Sequence, residues 1–271
     1  MISKKISELF SLQDKVVILT GSGGRLGSRF AEVLSNAGAK LVLVDIDEKT
    51  NSIIEKKLRK NNSKNILALT IDLTEPDDVK KLIKSTIKKF GKIDVLINNA
   101  HSLPRKHPQY STSFENFPED LWEIMVSDTL RSLFFCTKEV SKIMSKQKSG
   151  IIVNISSIYG IVGPDQRIYG DSKLNSPISY SVTKGGLVNM TRYLASYFYG
   201  KNIRVNTLTL GGVYDKTLHN SKFVKNYSSK TILGRMGSKE DFDGALLFLA
   251  SNASSYMTGS NLVVDGGWTA W

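Results

Sequence analysis

The sequence predicts an α/β fold of the doubly wound type, in which one mainly parallel sheet of about seven strands carries helices on both faces. Short apolar segments rich in β-branched residues recur along the chain, and helical patterns separate them. These segments are continuous rather than alternating, which is typical of strands buried on both faces. No repeat, linker or low-complexity tract interrupts the pattern. We therefore predict a single domain over residues 14–271, preceded by a short lead-in over residues 1–13.

Each predicted strand is a short apolar segment. The seven segments are Lys15–Thr20, Leu41–Val44, Ile66–Ile71, Ile93–Ile97, Ile151–Ile155, Ile203–Leu208 and Asn261–Val264. Helices are predicted over Ser28–Ala37, and over Asp77–Phe90, where apolar residues mark one face. The stretch Thr74–Asp77 is typical of a helix N-terminus, because it holds a hydroxyl that can cap, a proline and acids.

The composition restricts the class of protein. Of the 271 residues, 41% are hydrophobic, which is enough to bury a sizeable core. The apolar segments are far shorter than the roughly 20 residues of a membrane helix, and residues 1–10 lack the apolar stretch of a secretory signal. The single cysteine, Cys136, excludes an internal disulfide and a thiolate-rich zinc site, and we expect a buried, inert thiol. These features predict a soluble, cytoplasmic protein that does not enter membranes.

The net charge of +12 raises the question of nucleic-acid binding. Much of the excess lies in residues 49–92, where the lysines follow helical spacing. In the predicted helix Asp77–Phe90 the lysines fall outside the apolar face, as on the solvated side of an amphipathic helix. No aromatic residues alternate with them, as a base-stacking surface requires. We therefore expect no nucleic-acid partner.

A glycine-rich turn follows the first predicted strand. Residues 20–27 (Thr-Gly-Ser-Gly-Gly-Arg-Leu-Gly) lie between that strand and a helix. Glycines allow a tight turn and close approach to a pyrophosphate, whose charge the helix N-terminus meets. Asp45, which closes the second strand, can accept hydrogen bonds from adenosine ribose hydroxyls and would repel a 2′-phosphate. The turn therefore favours NAD over NADP, although a βα turn without a ligand could contain the same glycines.

Five motifs in order resemble the short-chain dehydrogenases/reductases, over nearly the whole chain. They are Thr20–Gly27, Asp72 with its neighbours, Asn98-Asn99-Ala100, Tyr180-Ser181-Val182-Thr183-Lys184, and the C-terminal stretch 254–267. The resemblance implies a Rossmann-type domain and hydride transfer between nicotinamide and an alcohol or carbonyl carbon. It also implies homodimers or homotetramers, formed through helices that include residues 122–145 and 180–199. The cofactor-binding residues it implies are Gly21, Gly23, Arg25, Leu26, Gly27, Asp45, Asp72, Leu73, Asn99, Ala100, Tyr180, Lys184, Gly212 and Val213.

Hydride transfer needs a group that exchanges a proton with the substrate oxygen. The resemblance gives that role to Tyr180, and Lys184 lies one helical turn further on the same face, where it can supply positive charge. Ser157 matches the catalytic serine that hydrogen-bonds the substrate oxygen. A Tyr/Lys pair at this spacing is, on its own, equally typical of an exposed helix face.

Four residues depart from the family pattern. Arg25 stands in place of the middle glycine of the turn, His101 in place of the glycine after Asn-Asn-Ala, and Leu210 in place of a proline. Thr129 stands in place of the asparagine that completes the catalytic tetrad, which puts the proton relay from Lys184 to solvent in doubt. Such losses keep a catalytically degenerate dinucleotide-binding sensor or scaffold as an alternative.

The substrate is predicted from the segments that follow the strands. Segments 101–118, 163–179 and 213–235 are unusually long or basic, and ligands bind at this end of the sheet. We expect His101, Tyr159 and Tyr169 to line the substrate pocket. Cations in two segments favour an anionic ligand by focusing charge, although a solvated lid would show the same residues. They are Lys216, Lys222, Lys225, Lys230 and Arg235, together with Arg105, Lys106 and the histidines His101, His107 and His219.

We therefore predict an anionic sugar derivative as substrate, phosphorylated or nucleotide-linked. Within the family, segments 104–117 and 163–179 are most similar to members that act in bacterial surface-sugar and flagellin-glycan biosynthesis. A reductase of acyl chains on a carrier protein is the alternative. No carboxylate or thiolate is spaced to complete a histidine metal site, and we expect no metal.

Tyr193, Tyr197 and Tyr199 are predicted to be core or interface residues.

Overall fold

The computed structural model describes residues 4–62, 65–105 and 107–271, without the side chains of residues 61 and 62. Seven parallel strands form one sheet in the order β3-β2-β1-β4-β5-β6-β7. They are β1 (Val16–Thr20), β2 (Lys40–Asp45), β3 (Ile66–Thr70), β4 (Val95–Asn98), β5 (Gly150–Ser157), β6 (Ile203–Leu210) and β7 (Asn261–Val264). The predicted doubly wound fold is confirmed.

Helices cover both faces of the sheet in the described residues. They are α1 (Lys4–Phe10), α2 (Arg25–Asn36), α3 (Glu48–Asn62), α4 (Pro76–Phe90), α5 (Glu119–Gln147), α6 (Ile178–Tyr197), α7 (Ser221–Ser228) and α8 (Asp243–Ala250). One core holds Phe30 of α2 and Phe242, which immediately precedes α8, and the other core holds Val79 of α4 and Val140 of α5. Strands β1 and β4 are buried along their whole length between the two cores, which explains their continuous apolar sequences.

The order of the strands fixes where a ligand can bind. The chain builds outward from β1 through β2 to β3, then returns to the other side of β1 to place β4. Helices therefore leave the carboxyl ends of β1 and β4 toward opposite faces, and a crevice opens between these two strand ends. The glycine turn follows β1 and the Asn98-Asn99-Ala100 segment follows β4, so both predicted motifs lie at this crevice.

Two helix boundaries differ from the sequence prediction. Helix α2 begins at Arg25 rather than Ser28, because Gly24 has the extended backbone of an N-cap residue. Helix α4 begins at Pro76, with Glu75 as its N-cap and no side-chain capping bond. The hydroxyl of Thr74, which the sequence offered as a cap, donates instead to Asp72 Oδ1 at 2.7 Å.

The tyrosines that follow Lys184 along α6 do not enter the core. Tyr193, Tyr197 and Tyr199 are 67%, 58% and 92% exposed, so the expectation of core residues is wrong for all three. The rings of Tyr193 and Tyr197 stack on the helix surface with their centroids 6.2 Å apart. Of the two roles expected for them, only an interface role is left. Cys136, by contrast, is fully buried, and burial raises the pKa of its thiol to about 12.

No helix in the described part of the chain has the length and apolar character needed to cross a lipid bilayer.

Candidate active site

A cavity of about 1090 Å³ opens at the carboxyl ends of the strands. It extends from the glycine turn and the end of β2 to the start of α6 and the segment after β6. All of the residues expected to bind the cofactor and the three expected to line the substrate pocket line this cavity. So do the expected catalytic residues Ser157, Tyr180 and Lys184. Thr129 is the exception, since it lines a separate void of about 10 Å³ behind the cavity wall.

The glycine turn is shaped by close contacts that exclude side chains. Gly21 has φ +65°, and a Cβ there would lie 2.9 Å from the Cα of Ala100. A Cβ on Gly27 would overlap the carbonyl oxygen of Gly21. The backbone between these two glycines therefore stays tight, and Arg25 occupies the first turn of α2 with its side chain directed across the cavity mouth to Asp215.

Side chains from three strands hold the turn in place. The Thr20 hydroxyl accepts hydrogen bonds from the backbone N–H groups of Asn99 and Ala100, at 3.0 and 2.9 Å. The Asn99 amide donates to the carbonyl oxygens of Thr20 and Gly21. Asp45 Oδ2 accepts the N–H of Gly23 at 2.8 Å. The acid at the end of β2 is thus already fixed beside the glycines before any ligand binds.

These residues fit a dinucleotide. The glycines of the turn carry no side chains that would block a pyrophosphate. The first N–H groups of α2 have no partner within their own helix and face the space where the pyrophosphate would lie. Asp45 offers a carboxylate for ribose hydroxyls, while Asp72 and Leu73 line the wall beyond β3. At the far end, Gly212 donates its N–H to the hydroxyl of Tyr227 at 2.5 Å, which keeps that segment folded over the cavity.

Ser157, Tyr180 and Lys184 meet on the floor of the cavity. Ser157 ends β5 and Tyr180 lies in the first turn of α6, and the Ser157 hydroxyl is close enough to lower the pKa of the Tyr180 phenol. Lys184 is 5% exposed, and its ammonium donates to the carbonyl oxygen of Ile155 at 2.9 Å. Its Nζ lies 5.8 Å from the centre of the Tyr180 ring.

The three groups influence one another electrostatically in a water-poor site. Burial raises the pKa of Tyr180, while the Ser157 hydroxyl and the positive charges of Arg105 and Arg25 lower it. Burial lowers the pKa of Lys184 to about 8, because no acidic group offsets the loss of water around the ammonium. Burial thus disfavours the charged forms of both the Tyr180 phenol and the Lys184 amine.

Two residues that sequence reasoning missed fix α6 against β5. The Ser156 hydroxyl donates to the backbone carbonyl of Lys184 at 3.1 Å. A Cβ on Gly160 would lie 2.6 Å from that same carbonyl oxygen, so only glycine lets the helix approach this closely. The serine pair after the apolar strand and the glycine three residues beyond it were the available signal, but their partner is 24 or more residues away along the chain.

Thr129 does not reach Lys184. Its hydroxyl accepts the N–H of Ser102 at 3.3 Å, and its side chain is 3% exposed. Its role in this structure is to hold the start of the segment after β4, which carries His101 next to Ser102. The structure shows no direct hydrogen bond between Thr129 and Lys184, whereas Lys184 itself lines the main cavity.

His101 lies against the reacting groups. Its ring meets the ring of Tyr180 edge-on, with centroids 5.1 Å apart. Both ring nitrogens are buried and have no hydrogen-bond partner among the described residues. Burial, and then the charges of Lys184 and Arg105, hold the pKa of His101 well below its ordinary value, so the ring is neutral at pH 7.

Tyrosines form much of the opposite wall. Tyr159 meets Tyr180 edge-on at 6.3 Å, and Tyr169 packs against Phe223 of α7 at 5.4 Å. Tyr110, which the sequence did not single out, also lines the cavity, and burial raises its pKa to about 12. Segments 101–118 and 163–179 are joined here, because the N–H of Asn175 donates to the carbonyl of Ser111 at 2.9 Å.

The cations expected to attract the substrate lie mostly elsewhere. None of the five basic residues of segment 213–235 lines the cavity. Lys222 pairs with Asp171, Lys230 with Asp165, and Arg235 with Asp241, so three of the five are neutralised by acids. The expectation that the cations of segment 213–235 attract an anionic substrate is therefore wrong. The positions of residues along a loop do not fix the direction of their side chains.

Some of the other expected basic residues line the cavity and some do not. Arg105 lines the cavity, whereas His107 does not, and its Nδ1 accepts the N–H of Gln109. Lys106 lies outside the described residues. His219 lines the cavity and stacks on Phe223. Within the described residues, no group of three or more His, Cys, Asp or Glu side chains is arranged to hold a metal ion.

Comparison with known proteins assigns the family. A family model described as enoyl-(acyl carrier protein) reductase matches residues 24–269. The chain is 33% identical to the post-translational flagellin modification protein A of Campylobacter coli, over 95% of this chain and 99% of that protein. The chain belongs to the short-chain dehydrogenases/reductases and is an oxidoreductase of that family, whose fold binds a nicotinamide dinucleotide.

Two solved structures show the same fold with different cofactors. A short-chain dehydrogenase from Leptospira borgpetersenii with bound NAD+ is 33% identical, with a TM-score of 0.83 over 99% of this chain and 97% of that one. A gluconate 5-dehydrogenase from Burkholderia cenocepacia, in complex with NADP and tartrate, is 26% identical, with a TM-score of 0.86 over 98% of this chain and 99% of that one. The family resemblance is thus confirmed, while the choice between NAD and NADP is not made by these relatives.

Proposed function

We propose that the protein is an NAD-dependent dehydrogenase or reductase that interconverts a secondary alcohol and a ketone on an anionic sugar derivative, phosphorylated or nucleotide-linked, in glycan biosynthesis. The observation that carries the proposal is the meeting of Ser157, Tyr180 and Lys184 at one end of a cavity whose other end is the glycine turn. A degenerate binding protein has no need of all three side chains in one place.

The chemistry follows from these side chains. Bound nicotinamide would supply or accept the hydride. Tyr180 exchanges the proton with the substrate oxygen, since its phenol is the acidic group on the cavity floor. Ser157 is placed to hydrogen-bond the same oxygen, because its hydroxyl is close enough to the Tyr180 phenol to lower the pKa of that phenol. Lys184 stabilises the phenolate form of Tyr180 by its charge and can donate to ribose hydroxyls.

The preference for NAD rests on Asp45 and Arg25. The Asp45 carboxylate lies beside the glycine turn, where it can accept ribose hydroxyls and repel a 2′-phosphate. Arg25 is the cation at the turn that could attract that phosphate, and its guanidinium is paired with Asp215. Both contacts support NAD as cofactor.

The substrate class is supported by the cavity wall and by relatives. The wall around Tyr180 carries an imidazole and several phenol groups, which suit a ligand with many hydroxyls. One relative is named for the post-translational modification of flagellin, and another for the dehydrogenation of gluconate, a sugar acid. An acyl chain on a carrier protein, the alternative suggested by the family description, would leave the unpartnered nitrogens of His101 unsatisfied.

An activity screen tests this function. NAD and NADP are offered with phosphorylated and nucleotide-linked sugars, and turnover is followed by nicotinamide absorbance. In Tyr180→Phe we expect kcat to fall by roughly 100- to 10,000-fold, because acid–base catalysis is lost, while NADH still binds. Tyr256→Phe is the matched control, since Tyr256 is a fully exposed tyrosine outside the cavity. Full activity in Tyr180→Phe would overturn the assignment.

Self-association is part of the same proposal. The exposed rings of Tyr193 and Tyr197 on α6, and of Phe134 on α5, form an aromatic surface that suits a second copy of the chain in a homodimer or homotetramer. Light scattering of Tyr193→Glu tests this, with Ile53→Glu on α3 as the control for one added charge on an exposed apolar residue. An unchanged mass in Tyr193→Glu contradicts the interface.

A further inference from the structure

We propose that Arg105 is the anion-binding residue of the substrate half of the cavity. It would pair with a terminal oxyanion, carboxylate or phosphate, on a polyhydroxylated carbon chain whose reacting carbon lies at Tyr180. This inference rests on the proposed function and narrows it: the anion is held by one guanidinium of the segment after β4, and not by the lysines of segment 213–235.

Arg105 lines the cavity without an acidic partner. Among the described residues, no carboxylate lies within 4.0 Å of its guanidinium, whereas Arg25, the other arginine of the cavity wall, is paired with Asp215. The Arg105 side chain lies near Tyr110, which is itself part of the wall, and offsets part of the rise that burial gives to the pKa of Tyr110. A guanidinium has five N–H donors, so most of them are left for a ligand.

Three of the four carboxylates that line the cavity, Asp45, Asp47 and Asp72, lie at or just after the ends of β2 and β3, on the cofactor side. Asp45 accepts the N–H groups of Gly23 and Asp47, and Asp72 accepts the N–H and hydroxyl of Thr74. Burial and the nearby charge of Asp72 raise the pKa of Asp128, while Ser102 lowers it. An anion that enters the cavity beside Arg105 therefore meets a guanidinium that no described carboxylate neutralises.

The other side chains around Arg105 are neutral hydrogen-bonding groups. The positive charge of Arg105 acts on His101, Tyr110, Tyr169 and Tyr180, which places it in electrostatic contact with this whole half of the cavity. His101 offers two ring nitrogens that have no protein partner in the described residues. Neutral donors and acceptors beside one unpaired guanidinium match hydroxyl groups next to one oxyanion.

Three six-carbon open-chain compounds test the proposal: D-glucitol, D-gluconate and D-glucitol 6-phosphate. They share a hydroxylated chain and differ in the terminal group, so the two anionic compounds also distinguish a carboxylate from a phosphate. The first measurement is calorimetric titration of the NADH-loaded protein, which does not depend on turnover. We expect at least one anion to bind more tightly than glucitol, and Arg105→Gln to weaken that binding by roughly 10- to 100-fold.

Arg167→Gln is the matched control. Arg167 is a neighbouring exposed arginine that is paired with Asp165 and does not line the cavity, so its loss should leave the ratio of anion to glucitol affinity unchanged. Equal binding of all three compounds by the wild type, or an equal loss in Arg105→Gln and Arg167→Gln, overturns the proposal.

Turnover provides a second readout that separates this proposal from the proposed function. The ratio of kcat/KM for the anion to that for glucitol should fall in Arg105→Gln. The pKa seen in the kcat/KM profile should also rise, because a positive charge that lowers the pKa of Tyr180 is gone. If turnover depends on Tyr180 but shows no preference for anions, only the proposed Arg105 site is contradicted. If anion binding depends on Arg105 but no turnover depends on Tyr180, only the proposed function is contradicted.

Discussion

The guanidinium Nη1 of Arg25 lies 3.2 Å from Oδ2 of Asp215. The two residues are 190 positions apart in the chain, and their ion pair joins the first turn of α2 to the segment after β6 across the mouth of the cavity. The hydroxyl and the N–H of Thr217 both donate to Asp215, and together with Arg25 they hold the pKa of Asp215 well below its usual range, so the pair is charged at pH 7.

Breaking this pair should weaken the discrimination against NADP. In Asp215→Asn the Arg25 guanidinium is free to contact a phosphate, and we expect the affinity for NADPH to rise several-fold relative to that for NADH, in line with a gained charge-assisted hydrogen bond. Fluorescence titration with both cofactors measures the ratio. Asp171→Asn, which breaks the Lys222 pair on the outer surface, is the control. An unchanged ratio would show that Arg25 does not reach the phosphate.

Removing the carboxylate at the end of β2 should also reduce the difference between the affinities for NADH and NADPH. Asp45→Ala takes away both a ribose acceptor and the repulsion of a 2′-phosphate, so NADH affinity should fall and NADPH affinity should rise. A change of about tenfold in their ratio corresponds to about 1.4 kcal/mol. Because Asp45 also accepts the N–H of Gly23, Asp45→Asn serves as the variant that keeps an acceptor without the charge. Tighter NADPH than NADH binding by the wild type would contradict the prediction.

The buried ammonium of Lys184 should make stability depend on pH. The pKa of Lys184 falls from 10.5 to about 8 on folding, so the unfolded chain binds more protons between these values and the free energy of unfolding rises with pH across that window. Below pH 8 the buried charge costs about 3 kcal/mol.

Lys184→Met removes that charge. At pH 7 the variant should be the more stable protein, and its advantage should shrink as the pH rises from 8 toward 10.5. Urea unfolding at several pH values measures the difference, and Lys142→Met controls for the loss of one exposed lysine. A difference that is constant with pH would contradict the lowered pKa.

Thr129 should matter for structure rather than for the proton relay. Thr129→Val leaves the N–H of Ser102 without its acceptor, and we expect the free energy of unfolding to fall by about 1 to 3 kcal/mol. Thr129→Asn keeps an oxygen for that N–H, and its turnover should stay within about threefold of the wild type, because Lys184 already faces the open cavity. A large gain in turnover in Thr129→Asn would instead mean that the natural protein has a broken relay.

Strand positions were predictable because burial on both faces leaves a continuous apolar record in the sequence. Asn261–Val264 is observed as predicted, and β5 and β6 run only slightly longer than expected. Helix starts were less predictable, since the N-cap of α4 is Glu75 and no hydroxyl caps it. The first turn of a helix depends on backbone geometry that several neighbouring residues can satisfy.

By itself, the sequence determined the fold, the glycine turn and the spacing of Tyr180 and Lys184, because each of these depends on residues close together in the chain. Only the tertiary structure decided which charges face the ligand. Lys230 turns away to Asp165, Arg25 is held by Asp215, and Arg105 is left in the cavity wall. The reason is physical: an ion pair forms between whichever groups the fold brings within a few ångströms, and sequence separation carries no information about that distance.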